Sequence, residues 1–181
     1  VYSLTYNNIR LLIKKIILDL LEDVMNILNK KIELLKKIAL RFNDANITWA
    51  LGASMLLYFK KITIEFHDID LMIANEDVES VQKILSEMGE IQPPNPNSKY
   101  KTKSFMEFII DSIDVDVMAG FSIVSDGKVH DCSLHKEQIV EWMTLENTKI
   151  PLQSPILWCE YYRLMGRKEK VDVIESALAN N

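Results

Sequence analysis

Asp68 and Asp70, in the apolar run Phe66-His67-Asp68-Ile69-Asp70-Leu71-Met72-Ile73, are the pair of residues best placed to do chemistry. In an extended strand, residues i and i+2 share a face, so both carboxylates project together. Burying two such charges without neutralisation is costly. A divalent cation removes that cost, and Mg²⁺ in particular takes carboxylate oxygens while keeping positions open for phosphate. A third carboxylate comes from Ile113-Asp114-Val115-Asp116-Val117-Met118, where Asp114 and Asp116 again share a face and either could serve. Upstream, Leu51-Gly52-Ala53-Ser54 forms a glycine turn that would offer backbone N–H groups to a phosphate. Turn and carboxylates together suit in-line transfer of a nucleotidyl group between two metal ions.

Other chemistry-bearing residues carry weaker signals. Ser54 is a phosphate contact or the cap of a short helix. His67 neighbours Asp68 but falls on the opposite strand face, which favours a structural role. His130 and His135 lack Cys or Glu at zinc-ligand spacing, and Cys132 and Cys159 have no visible catalytic neighbour. Arg163, Arg167, Lys168 and Lys170 form a basic segment near the C-terminus that could reach a triphosphate or simply pair with Glu160 and Glu169. Lys60 and Lys61 are lesser phosphate candidates. Trp49, Trp142 and Trp158 read as core anchors.

The elements that must position these residues follow from periodicity. Apolar residues recur at helical spacing through residues 4–28 and 31–42, giving one long helix or a helical pair that stops at Asn43-Asp44-Ala45-Asn46. Residues 47–51 form a short buried strand, Met55–Phe59 a helical turn, and residues 66–73 a second strand. Val78–Met88 is a helix with Gly89 as its C-cap. Gln92–Ser98, holding three prolines, is a surface loop. Residues 105–110 and 113–118 make a hairpin around Asp111-Ser112, as do 121–124 and 128–130 around Ser125-Asp126-Gly127. Residues 140–145 and 148–152 pair around Glu146-Asn147. Ser154 caps a helix with Pro155 at its first position, and Gly166 separates that helix from a last one, Lys168–Leu178. The fold class is α+β with a mixed sheet flanked by helices, divided into a helical extension (1–44), an α/β core (45–152) and a helical cap (153–181).

Composition narrows the function classes. The 181 residues are 48% hydrophobic and 26% charged, enough to bury a core and to exclude wholesale disorder. Two cysteines make no disulfide framework, which suits the cytoplasm. No apolar run reaches the roughly 20 residues of a membrane span, and the N-terminal stretch has neither a cleavage site nor a strongly basic face. Net charge is −5, against general duplex nucleic-acid binding. The charge is uneven: residues 61–150 carry seventeen acidic and eight basic side chains, so something must neutralise the middle of the chain.

Hydrophobic-Gly-Gly/Ser, a spacer, Asp-x-Asp and a later strand Asp are the signature of the nucleotidyltransferase superfamily, the DNA polymerase β-like fold. Leu51-Gly52-Ala53, the fourteen residues Ser54–His67, Asp68-Ile69-Asp70 and Asp116 resemble it over roughly residues 46–120. The likeness is greatest to small bacterial members that include aminoglycoside and toxin–antitoxin nucleotidyltransferases. It departs at Ala53, which adds a methyl where Gly or Ser is usual, and in a spacer at the long end of the pattern. The resemblance implies metal-dependent transfer of a nucleoside monophosphate from an NTP, ATP as the expected donor, to a hydroxyl of an unidentified acceptor. The negative net charge makes a small molecule or protein, rather than nucleic acid, the expected acceptor. The resemblance further implies two Mg²⁺ ions on Asp68, Asp70 and Asp116, which act as catalytic residues. Gly52, Ala53, Ser54, Arg167 and Lys170 would contact the nucleotide. The alternative is an inactive member that keeps the fold as a nucleotide- or partner-binding module. The N-terminal helices would pack on the sheet or on a second copy, making a homodimer.

Overall fold

The computed structural model describes residues 2–180, with side chains from Asn8 onward. Two compact units divide the chain, residues 1–35 and 36–181. The first is the N-terminal part of a single helix, α1 (Tyr2–Asp44), uninterrupted by Gly or Pro. The helix stops where Asn46 takes a left-handed conformation (φ +55°) and the Ile47 N–H donates to the Phe42 carbonyl, a 6→1 closure that absorbs an orphan carbonyl. The Asn43 side chain also helps end the helix, because its Oδ1 accepts from Trp49 Nε1 at 3.1 Å and its Nδ2 donates to the Lys149 carbonyl at 2.9 Å.

The second unit is built on a seven-stranded mixed sheet. In chain order the strands and helices are β1 (Trp49–Leu51), α2 (Ala53–Phe59), β2 (Ile69–Ile73), α3 (Val78–Ser86), β3 (Glu90–Ile91), β4 (Ser104–Ile110) and β5 (Ile113–Ala119). They continue with β6 (Ser122–Ser125), β7 (Lys128–Asp131), β8 (Glu141–Leu145), β9 (Thr148–Leu152), α4 (Pro155–Leu164) and α5 (Lys168–Ala179). The order across the sheet is β3-β4-β5-β2-β1-β9-β8, with β6 and β7 as a separate hairpin. The β2–β5 and β1–β9 pairs are parallel and the others antiparallel. The fold class is therefore α+β, as the element order implies.

Alternation within β4 and β5 sets which face is core. Met106, Phe108, Ile110, Ile113, Val115 and Val117 are buried on one side. Phe105, Glu107, Ile109, Asp114 and Asp116 stand on the other, partly open. Ile38, Ala39 and Phe42 of α1 are fully buried, and Phe42 meets the Trp49 ring edge-on at 5.6 Å between centroids.

One strand was not foreseen, and two local expectations need correction. β3 has no alternating apolar signature and is seen only in its pairing of Glu90 with Ile109 and Ile91 with Phe108. Gly89 is not a left-handed helix cap; a Cβ there would lie 2.3 Å from the Ile109 carbonyl oxygen, so the residue is small to let two backbones approach. Trp142 is not core but 52% exposed, because β8 is an edge strand. Trp49 and Trp158 are buried. Ser154 does cap α4, its Oγ accepting from the Ile156 N–H at 3.1 Å.

Candidate functional site

Parallel pairing of β2 with β5 puts Asp70 directly beside Asp116. Asp68 stands just before β2, which begins at Ile69. Each of Asp68, Asp70 and Asp116 presents a carboxylate oxygen within 4.8 Å of the other two. Asp114, two residues along the same face as Asp116, is exposed and outside this trio.

The trio is electrostatically strained. Burial pushes the Asp70 carboxyl well above the usual carboxylate range, and the charges of Asp68 and Asp116 push the same way; Arg167 opposes them. Asp116 is pushed up to about 7 by burial first, then by Asp68, Glu107 and Asp114. Three converging carboxylates, with Asp70 and Asp116 resisting ionisation, suit a small, hard, oxygen-seeking cation, and the oxygen-only donor set fits Mg²⁺ better than a softer metal.

The glycine turn is held against the same strand. Gly52 N–H donates to the Asp70 carbonyl at 3.0 Å. A Cβ on Gly52 would lie 2.5 Å from Cζ2 of the buried Trp158 indole, so its smallness serves packing against α4. Gly52 does not line the cavity described below. Ala53 carries a positive φ of +43°, a conformation that disfavours any residue with a Cβ. The resemblance has a Gly or Ser there; in this chain the alanine holds the bend at a cost in backbone strain. The Ser54 hydroxyl donates to Asp68 Oδ1 at 3.4 Å. It is therefore tied to the carboxylates and makes no side-chain cap of α2.

These residues open into a cavity of about 1090 Å³, at the upper end of the range for ligand pockets. Its floor is the carboxylate trio with Ala53 and Ser54, one wall comes from residues 95–102, and the other from α4 and the turn into α5. Of the four basic C-terminal residues, Arg167 and Lys170 line the cavity. Arg163 does not, being paired with Glu160 and, at 2.7 Å, with Glu175; Lys168 pairs with Asp172. The segment around them is not a single basic helix but the end of α4, a turn at Gly166 (φ +73°) and the start of α5. That break lets Arg167 face inward, its guanidinium 5.8 Å from the centre of the Tyr162 ring. Lys60 is paired with Glu141, and neither it nor Lys61 reaches the cavity. His67 does line it, because the residue precedes β2 and strand alternation does not govern its direction.

Sequence reasoning passed over Glu107, Tyr100, Lys101 and Tyr162, all of which line the cavity. Glu107 was within reach: a two-residue turn at Asp111-Ser112 pairs Ile110 with Ile113 and, three steps along, Glu107 with Asp116. Tyr100 and Lys101 lie in a loop without periodicity and left no signal.

No family model matches the chain, and no curated protein matches it in sequence. Solved structures do. A provisionally assigned nucleotidyltransferase from Thermotoga maritima superposes with a TM-score of 0.66 at 24% identity, over 84% of this chain and 95% of that one. ANT(2″)-Ia in complex with adenylyl-2″-tobramycin gives 0.57 at 13% identity, over 82% and 90%. The lincosamide antibiotic adenylyltransferase LnuA, with lincomycin bound, gives 0.51 at 13% identity, over 75% and 90%. The fold of this chain is the nucleotidyltransferase fold.

Proposed function

We propose that this protein is a metal-dependent nucleotidyltransferase that moves a nucleoside monophosphate from an NTP to a hydroxyl of a small-molecule acceptor. The observation that carries the reading is the convergence of Asp68, Asp70 and Asp116 at the floor of a cavity whose wall supplies Arg167 and Lys170. Two of the solved structures resembling it hold adenylyl-tobramycin and lincomycin, which favours ATP as donor and a small molecule as acceptor.

Asp68, Asp70 and Asp116 would hold Mg²⁺, which when bound neutralises the carboxylates and the triphosphate and polarises the phosphoryl group under attack. Arg167 and Lys170 would bind the triphosphate from the opposite wall, and Ala53 and Ser54 would border it on the floor. The acceptor oxygen forms a bond to the α-phosphorus as the bond to the β-phosphate oxygen breaks, and pyrophosphate leaves. Asp116 would take the acceptor's proton, and the open face around Glu107 and Phe105 would seat the acceptor. In this reading the residues 45–152 carry the chemistry and 153–181 close over the nucleotide.

Titration calorimetry with ATP, GTP, CTP and UTP, with and without Mg²⁺, tests the reading on the wild type and Asp68→Asn/Asp70→Asn. Mg²⁺-dependent binding that the double variant loses supports it. A folded wild type that binds no nucleotide overturns it.

A further inference from the structure

The N-terminal part of α1 exposes far more apolar surface than a solitary helix tolerates in water. Between Ile9 and Ile27 stand twelve large aliphatic side chains, each 49–65% exposed. At about 100 Å² apiece they present on the order of 1000 Å², against roughly 300–600 Å² for the largest patch of an ordinary monomer. Eight of the twelve fall within about 140° of arc at 100° per residue, and that single face presents on the order of 800 Å², what each partner contributes to a stable interface.

The pattern is ordered. Ile13, Ile17, Leu20, Val24 and Ile27 recur at steps of 4, 3, 4 and 3, the spacing of a coiled-coil seam. At 100° per residue the five fall within about 80° of arc. Lys15, Asp19, Glu22 and Asn26 occupy the opposite side, with Leu11 and Leu18 beside them. The next place in the repeat is Lys31, which ends the seam. Ile17 and Val24, both β-branched, alternate with Leu20 along it, an arrangement that packs well between paired helices.

We propose that this seam is a self-association surface, packing against the same seam of a second copy of the chain. A lipid surface fits it less well. Residues 1–35 carry five basic and four acidic side chains, too even a balance to draw the helix to anionic headgroups. Among the described residues no helix is long and apolar enough to cross a bilayer. A copy of the seam supplies matching shape and buries both apolar faces at once.

Sedimentation velocity on the full chain from about 1 to 50 μM tests this, together with flotation on phosphatidylcholine vesicles. The expected species is a dimer or a larger multiple of the 20.9 kDa chain. Leu20→Ala/Val24→Ala keeps helix propensity and should weaken association at least tenfold, with circular dichroism reporting that the helix remains. Leu20→Cys should give an interchain disulfide on mild oxidation, since the native Cys132 and Cys159 are buried. A wild type monomeric throughout the range overturns the proposal, as does a monomer that floats with vesicles or a double variant of unchanged mass. These readouts do not depend on nucleotide binding, so they stand apart from the test of the proposed activity.

Discussion

Replacing Asp116 by Asn should make the metal-free protein more stable at neutral and alkaline pH while abolishing the proposed nucleotidyl transfer. Burial and the neighbouring charges of Asp68, Glu107 and Asp114 raise the Asp116 carboxyl from 3.8 to about 7. Below pH ~4 the side chain is protonated in both folded and unfolded chains, and nothing is lost. Between about pH 4 and 7 the unfolded chain releases the proton and the folded one keeps it, so stability falls with rising pH. Above pH 7 the deficit is constant; a shift of about 3 units at 1.36 kcal/mol each makes it roughly 4 kcal/mol at most. Asn keeps the shape and carries no charge, so Asp116→Asn should gain about 2–4 kcal/mol at pH 8 in EDTA, or roughly 5–15 °C in Tm. At pH 4 the two proteins should melt together. Calorimetric melting at both pH values, with EDTA or with Mg²⁺, checks the prediction, and Mg²⁺ should raise the wild-type Tm more than that of the variant. Equal Tm values at pH 8 would refute the electrostatic argument. A gain of the same size at pH 4 would trace the effect to packing.

Three further outcomes follow from the same geometry. Gly52→Ala should destabilise by about 1–3 kcal/mol, since its Cβ meets an indole fixed by the 2.7 Å bond from Trp158 Nε1 to Gln153 Oε1; chemical denaturation reads it. Ala53→Gly should stabilise by roughly 0.5–1 kcal/mol by relieving the positive φ, where alanine-to-glycine elsewhere in a helix costs about as much; a loss of stability would show the bend to be unstrained. Arg167→Ala should weaken Mg²⁺–NTP binding about 10- to 100-fold, the worth of a charged hydrogen bond, whereas Arg163→Ala should leave it unchanged because Arg163 faces Glu160 and Glu175.

Most of the strand and turn framework was legible because it is local. The hairpins around Asp111-Ser112 and Ser125-Asp126-Gly127 declare themselves by apolar runs on either side of turn residues, and their registers follow from the turn length. The Ser154-Pro155 helix start is likewise a matter of adjacent residues. β3 was not legible, since two residues paired by their backbone alone leave no side-chain pattern. Nor was the exposure of Trp142, which depends on β8 being the last strand of the sheet.

For the site, the sequence by itself kept Asp68 and Asp70 together, two residues apart at the entry to one strand, although alternation governs only Asp70, since β2 begins at Ile69. It also marked the glycine turn and offered Asp116, favoured by the resemblance, with Asp114 as its alternative. Only the tertiary structure decided between them: the parallel register of β2 and β5 sets Asp116 beside Asp70 and carries Asp114 two residues farther along. Arg167 and Lys170, the two cations the resemblance picks out, line the cavity because the chain breaks at Gly166, so that some side chains of the run face the cavity and others their own helix. Strand alternation is fixed by neighbours in the chain. Which carboxylate meets which, and which cation faces them, depends on contacts between residues tens of positions apart, fixed only when the sheet has closed.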